Sequence, residues 1–195
     1  MTPILVLASA SPRRRELLRC AGIAFEVQAA DISEDPIAGE NARQYAERLA
    51  REKALAVARL RPQDCILAAD TVVVVDRQIL GKPSDAEDAA RMLRLLSGGK
   101  HQVITGVCLV FQQQPVVASE TTVVTVSKIK EQEISDYVRS GEPMDKAGAY
   151  AIQGIASRWI PRIEGDYSNV VGLPVALVFP MLREISSQFS VLSSR

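Results

Sequence analysis

The chain has 195 residues, 47% hydrophobic and 24% charged, as in an ordinary globular protein with a substantial core. Lys plus Arg and Asp plus Glu number 23 each, so the formal net charge is zero and the basic excess of a general nucleic-acid binder is missing. No apolar run approaches the roughly 20 residues that span a bilayer, and the N-terminal MTPILVLASAS lacks the basic start of a signal peptide.

Ile4–Ala8 is a continuous apolar run and predicts a buried strand. Ser11 reads as an N-cap with Pro12 at the first helical position, opening a helix to about Cys20 that Gly22 closes. Phe25–Ala29 predicts a second strand and Ile32–Asn41 an acidic loop, after which Asn41 caps a long helix to about Leu60. Cys65–Val75 is strand-like but interrupted by Asp70 and Thr71. Ser84 with Glu87 forms a capping box for a helix that ends before Gly98-Gly99. Val103–Phe111 and Val116–Ser127 predict strands around a Gln-rich turn, and Glu131–Arg139 a short helix. Glu142–Gly172 is rich in Gly, Ala and turn residues, Pro174–Ile185 closes the fold, and residues 188–195 read as a frayed tail. Strands alternating with helices predict an α/β class with a mixed sheet.

Function is best sought where a sequence breaks its own structural logic. The first break is Ser9-Ala10-Ser11-Pro12-Arg13-Arg14-Arg15, where three arginines occupy a helix start that favours acidic residues. Hydroxyls, free N–H groups and guanidinium forks together make a phosphate site, unless the arginines are simply solvated. The second is Lys53. At about 100° per residue it falls near the centre of an apolar face made by Tyr45, Leu49, Ala50, Ala56, Val57 and Leu60. Such a lysine either meets an anion or snorkels to an edge. The third is Asp70-Thr71 inside an apolar strand, where a carboxylate holds a metal ion, acts as a base, or caps a turn. Lys82 on the Gly81-Lys82-Pro83 turn and Glu34 in the acidic loop add a cation and an oxygen ligand, or are solvated loop charges. Together these residues describe a metal–polyphosphate site, since Mg²⁺ is usually held by one or two carboxylates plus substrate phosphates.

Competing chemistries lack support. His101 is the only histidine and reads as structural, no serine sits in a GxSxG elbow, and there is no P-loop or GxGxxG. Cys20, Cys65 and Cys108 are far apart and read as buried, reduced thiols, not zinc ligands.

Eight motifs in order, LASASPRR, RLAREKA, AADTVV, LGKP, MLRLLSG, HQVITGV, DKAGAYAIQG and YSNVVGLP, make the chain resemble the Maf family from about Ile4 to about Arg183. These nucleotide pyrophosphatases are related in fold to the inosine-triphosphate pyrophosphatases. The resemblance implies one domain over residues 1–187, a mixed central sheet flanked by helices in two lobes with a cleft between them. The DKAGAYAIQG form, with Gln153, resembles the subgroup that prefers dTTP and UTP. It implies Asp70 as the catalytic acid/base, and Arg13, Thr71 and Gln153 as positions of substrate preference. Ser9, Arg14, Lys53 and Lys82 match phosphate-binding positions, and Glu34 and Asp70 metal-binding ones.

The expected function is hydrolysis of a nucleoside triphosphate to its monophosphate and pyrophosphate with Mg²⁺ or Mn²⁺, in the cytoplasm, without nucleic acid or membrane as partner. The resemblance is compatible with a homodimer. The rival from another class is a nucleotide-binding regulator linked to septum formation, which could dispense with Asp70. A second rival keeps the chemistry and makes modified pyrimidine triphosphates the target, as house-cleaning.

Overall fold

The computed structural model describes residues 3–186; the tail expected at 188–195 lies outside the described residues. In chain order the elements are β1 (Leu5–Leu7), α1 (Pro12–Cys20), β2 (Glu26–Val27), α2 (Ala42–Leu60), β3 (Cys65–Val75), β4 (Gln78–Leu80), α3 (Ala86–Leu96), β5 (Lys100–Phe111), β6 (Gln114–Thr125), α4 (Glu131–Arg139), β7 (Arg162–Glu164), α5 (Tyr167–Val171) and α6 (Val175–Ser186). Three 3₁₀ turns, Glu142–Asp145, Ala147–Ala149 and Ile155–Trp159, fill the Gly- and Ala-rich stretch between α4 and β7. The strands form one sheet along the path β2-β1-β3-β5-β6-β7, with β4 paired to β3 off that path. β1 pairs parallel to β2 and β3, whereas β4 on β3 and β7 on β6 are antiparallel, so the sheet is mixed as expected.

The chain divides into two compact units. The first takes the chain up to Asp70, Thr105–Glu120 and the segment from Gly172; the second takes Thr71–Ile104 and Thr121–Val171. In the first unit the period of two along β3 sorts side chains onto two faces. Ile66 and Ala68 pack with Ala50, Ala54, Val57 and Ala58 of α2. Cys65, Leu67 and Ala69 pack with Leu18 of α1 and Val178 and Leu182 of α6. Each fully buried Leu or Val contributes about 1.5–3 kcal/mol. Gly106 on β5 is required by this packing, because a Cβ there would stand 2.4 Å from the Ala46 carbonyl oxygen of α2. The second unit has one core, in which Val73, Leu80, Leu93, Val103, Val124, Ile134 and Trp159 meet.

Several expectations are corrected in detail. β3 is continuous through Asp70 and Thr71, and β2 is shorter than Phe25–Ala29. The start of α3 shifts by one residue: Asp85, not Ser84, caps it by accepting from the Asp88 N–H at 2.8 Å, while Asp88 reaches back to the Ser84 N–H at 3.1 Å. A carboxylate offers two oxygens, which outcompetes the single serine hydroxyl. The β3–β4 hairpin turns on Asp76-Arg77 and the β5–β6 hairpin on Gln112-Gln113, all four at positive φ. Paired positive φ gives a turn whose twist suits two-residue hairpins. On α2 the buried face is Ala46, Leu49, Ala50, Ala54, Val57 and Ala58, and Leu60 at its C-terminal end is 70% exposed. All three cysteines are free; Cys65 and Cys108 are buried, but Cys20 is exposed near the end of α1, against expectation.

Candidate active site

The first unit brings Ser9, Arg14, Glu34, Lys53 and Asp70 together. Asp70 follows Ile66 and Ala68 on the face of β3 that packs on α2, so its carboxylate points where the next turn of that helix must pass. Lys53 lies in the buried stripe of α2, and its ammonium meets Asp70 Oδ1 at 2.6 Å and Glu34 Oε1 at 2.6 Å. Both the Lys53 and Asp70 side chains are 12% exposed, so the pair is sheltered, whereas Glu34 reaches in from solvent with 51% exposure. Burial pushes the Asp70 carboxyl above the ordinary carboxylate range, against the pull of Lys53 and Arg14; Glu34 adds to the rise. The lysine therefore meets anions instead of snorkelling.

The β1–α1 turn supplies the second cation. The Ser11 hydroxyl caps α1 by accepting from the Arg14 N–H at 3.4 Å. The Ser9 hydroxyl accepts from the Ser11 N–H at 3.2 Å and from Arg14 Nη1 at 3.2 Å, while Arg14 Nε donates to the Gly172 carbonyl at 2.7 Å. These bonds turn one of the three arginines inward, toward the charge of Asp70 and Glu34. Arg13 precedes it on the same first turn, and Arg15 bends back to the Ala10 carbonyl at 3.2 Å.

The loop that carries Glu34 is held by α2 in a way that sequence reasoning missed. The Tyr45 phenol donates to the Glu34 carbonyl at 2.7 Å. Arg48, one turn on, donates to the Asp35 carbonyl at 3.1 Å and forks onto Glu40 at 2.8 and 2.9 Å. The i, i+3 spacing of Tyr45 and Arg48 was the available signal, but helical projection assigns one to the apolar and the other to the polar face. The Gly172 carbonyl was equally hidden, since 158 residues separate it from Arg14.

Thr71, Lys82 and Gln153 belong to the second unit. Thr71 follows Asp70 on β3 and so faces the other side of the sheet. Lys82 is exposed after β4 on a turn whose Gly81 carbonyl accepts from the Gly148 N–H at 3.0 Å. Gln153 is exposed on a turn closed by the Gly154 N–H to the Ala151 carbonyl at 3.1 Å. His101 is buried, its Nε2 2.8 Å from the Tyr150 hydroxyl, and burial lowers its pKa to about 4. It stays neutral at pH 7, as a structural residue would.

Among the described residues no group of three or more His, Cys, Asp or Glu side chains could hold a metal ion, and no helix is long and apolar enough to cross a membrane. Two carboxylates do converge on one positive centre, the Lys53 ammonium. That donor set is too small for a closed protein cage and fits a hard divalent cation that takes its remaining ligands from water and phosphate.

The family described as Maf-like protein matches residues 4–185. A dTTP/UTP pyrophosphatase of Koribacter versatilis is 58% identical over 179 residues, 92% of this chain and 93% of its own. One from Anaeromyxobacter dehalogenans is 51% identical over 190 residues, 94% of each chain. In solved structures, the Staphylococcus aureus Ham1 protein has the same fold at 13% identity, with a TM-score of 0.51 over 93% of this chain and 98% of that one.

Proposed function

The chain belongs to the Maf family, and from that premise we propose that it hydrolyses nucleoside triphosphates, dTTP and UTP first, to nucleoside monophosphate and pyrophosphate. The observation that carries the reading is Asp70, a buried carboxylate of raised proton affinity joined through Lys53 to Glu34 with Arg14 beside it.

Asp70 and Glu34 would hold the divalent ion, Mg²⁺ or Mn²⁺, which when bound draws charge from the phosphate oxygens. Asp70 orients a water and takes its proton. The water oxygen forms a bond to the α-phosphorus, and the bond from that phosphorus to the bridging oxygen breaks. The electron pair leaves with pyrophosphate. Lys53, Arg13 and Arg14 offset the charge that gathers on the phosphates, and the Ser9 hydroxyl keeps Arg14 aimed. Positioning and charge stabilisation suffice for such chemistry, so no covalent enzyme intermediate is needed. By the resemblance of their motifs, Lys82 would take a phosphate role, and Thr71 and Gln153 would read the base. The Gln153 amide offers a donor and an acceptor, which complement O4 and N3–H of uracil or thymine.

The test is a panel of ordinary and base-modified triphosphates with Mg²⁺ or Mn²⁺, following monophosphate and pyrophosphate directly. Turnover of dTTP and UTP that disappears in Asp70→Asn supports the reading. Tight binding without turnover of any triphosphate sinks it.

A further inference from the structure

The exposed turn that carries Gln153 rests on a hydrogen-bonded pair, one partner buried and one half-buried, that the chemistry above does not use. Tyr137, 1% exposed at the end of α4, donates its hydroxyl to Glu142 Oε1 at 2.8 Å and accepts from the Ala151 N–H at 3.3 Å. The Glu142 carboxylate in turn accepts from the Ile155 N–H, at 3.0 Å through Oε1 and 3.3 Å through Oε2. Ala151 and Ile155 stand two residues before and two after Gln153.

The pair is itself well fixed. Trp159 packs edge-on against the Tyr137 ring, centroids 5.3 Å apart at 83°. The Ser140 hydroxyl donates to the Tyr137 carbonyl at 2.6 Å and accepts from the Glu142 N–H at 3.3 Å, shaping the turn that returns Glu142 to the phenol. Lys146 Nζ holds the Glu142 carbonyl at 2.7 Å. Gly154 permits the approach, because a Cβ there would lie 2.1 Å from Glu142 Oε1. Burial, and next the bond to Glu142, push the phenol's pKa above its ordinary value, so it remains a donor throughout the neutral range.

We propose that Tyr137 and Glu142 are positioning residues for base selection, clamping the backbone on both sides of Gln153 so that its carboxamide meets the pyrimidine edge in register. The inference rests on the reading of Gln153 above. Uracil presents an acceptor and then a donor where cytosine presents the reverse, and a carboxamide on a loose turn can shift and rotate to suit either. Discrimination requires such a group to be held within about 0.5 Å of its working place. Neither residue touches the reacting atoms in this account, so the clamp acts on selectivity and little on the chemical step.

The experiment measures kcat/KM for UTP and CTP in the whole protein with Mg²⁺, for wild type, Tyr137→Phe, Glu142→Ala, Glu142→Gln, Gln153→Ala and the Tyr137→Phe/Gln153→Ala double variant. Tyr137→Phe and Glu142→Ala should each lower the UTP:CTP ratio about tenfold, mainly through the KM for UTP, since small misplacements carry effects of that order. Glu142→Gln, which keeps an acceptor oxygen, should recover most of the ratio, and the double variant should lose no more than Gln153→Ala alone. Deuterium exchange at the Ala151 and Ile155 amides should quicken in Tyr137→Phe. A ratio that moves in Gln153→Ala but not in Tyr137→Phe or Glu142→Ala overturns the clamp and leaves the reading of Gln153 standing. A ratio unmoved by Gln153→Ala overturns that reading and the clamp with it. Equal losses on UTP and CTP, or unaltered exchange in Tyr137→Phe, also overturn the clamp, the former pointing to a merely structural pair.

Discussion

The Asp70 cluster in the first unit and the Gln153 turn in the second are built from opposite materials. Around Asp70, a sheltered carboxylate and ammonium meet a second carboxylate that reaches in from solvent and a nearby guanidinium, and burial raises the proton affinity of the central carboxyl. Around Gln153 the Ala151 N–H donates to a neutral phenol, the phenol and the Ile155 N–H donate to a single carboxylate, and the side chain presented is uncharged. In the proposed reading, charge would handle the phosphates, where strength matters, and a fixed uncharged carboxamide the base, where orientation matters. The contrast yields effects of different size and kind.

Asp70→Asn should show the largest effect, a fall in kcat of at least about 100-fold, the low end for a positioned acid/base group. A fall of less than about tenfold on UTP would remove Asp70 from its role and break the comparison at its stronger pole. Lys53→Ala comes next. It leaves Asp70 and Glu34 without their shared cation, so KM for UTP should rise at least about tenfold, the low end for the loss of one charged hydrogen bond of about 1.5–3 kcal/mol. Because Lys53 holds the Asp70 pKa down, its removal should also move the acid limb of the kcat/KM profile to higher pH. An unmoved limb would detach the two residues from one another.

Gly106→Ala probes the scaffold under the charged cluster without altering any charge. The added carbon cannot coexist with the Ala46 carbonyl, so α2 must shift, and denaturant unfolding should show a loss of about 3 kcal/mol. His101 gives the corresponding probe in the second unit. Its folded pKa of about 4 lies below the ordinary value of 6.5, so between those values the unfolded chain binds the extra proton. Stability from this residue is full above about pH 6.5 and is lost as pH falls toward 4, by about 3 kcal/mol at most. His101→Gln should flatten the dependence of Tm on pH across that window. Tyr45→Phe is the mildest change: it frees the Glu34 carbonyl and should raise the KM for UTP by only about two- to fivefold, one neutral hydrogen bond's worth.

The charged pole was legible in the sequence because charge in the wrong place is conspicuous. Lys53 on an apolar face, Asp70 in an apolar run and arginines at a helix start each violate a local rule, and the structure gathers Lys53, Asp70 and Arg14 around Glu34. The neutral pole was not legible, because Tyr137 at a helix end and Glu142 in a turn violate nothing. Their bonds to the Gln153 turn arise only where the chain returns at Ala151 and Ile155. The α/β class and mixed sheet followed from alternating patterns. The Gln-rich turn after β5 was expected, but its two-residue form at Gln112-Gln113 and the turn at Asp76-Arg77 were not, since none of the four residues is a glycine. Tyr45 and Arg48 escaped because their bonds to the loop run to backbone carbonyls more than ten residues away.

The exposed thiol at the end of α1 gives the molecule a handle. Burial pushes Cys65 and Cys108 up to about 12, which leaves both thiols protonated and enclosed, while Cys20 stands in solvent six residues from Arg14 on the same helix. Its bond to Glu16 raises its own pKa too, which slows its alkylation without enclosing the thiol. A maleimide dye would therefore attach at one place without mutagenesis. The single helix between label and guanidinium would make that dye a reporter on the triphosphate binding proposed for the arginine turn.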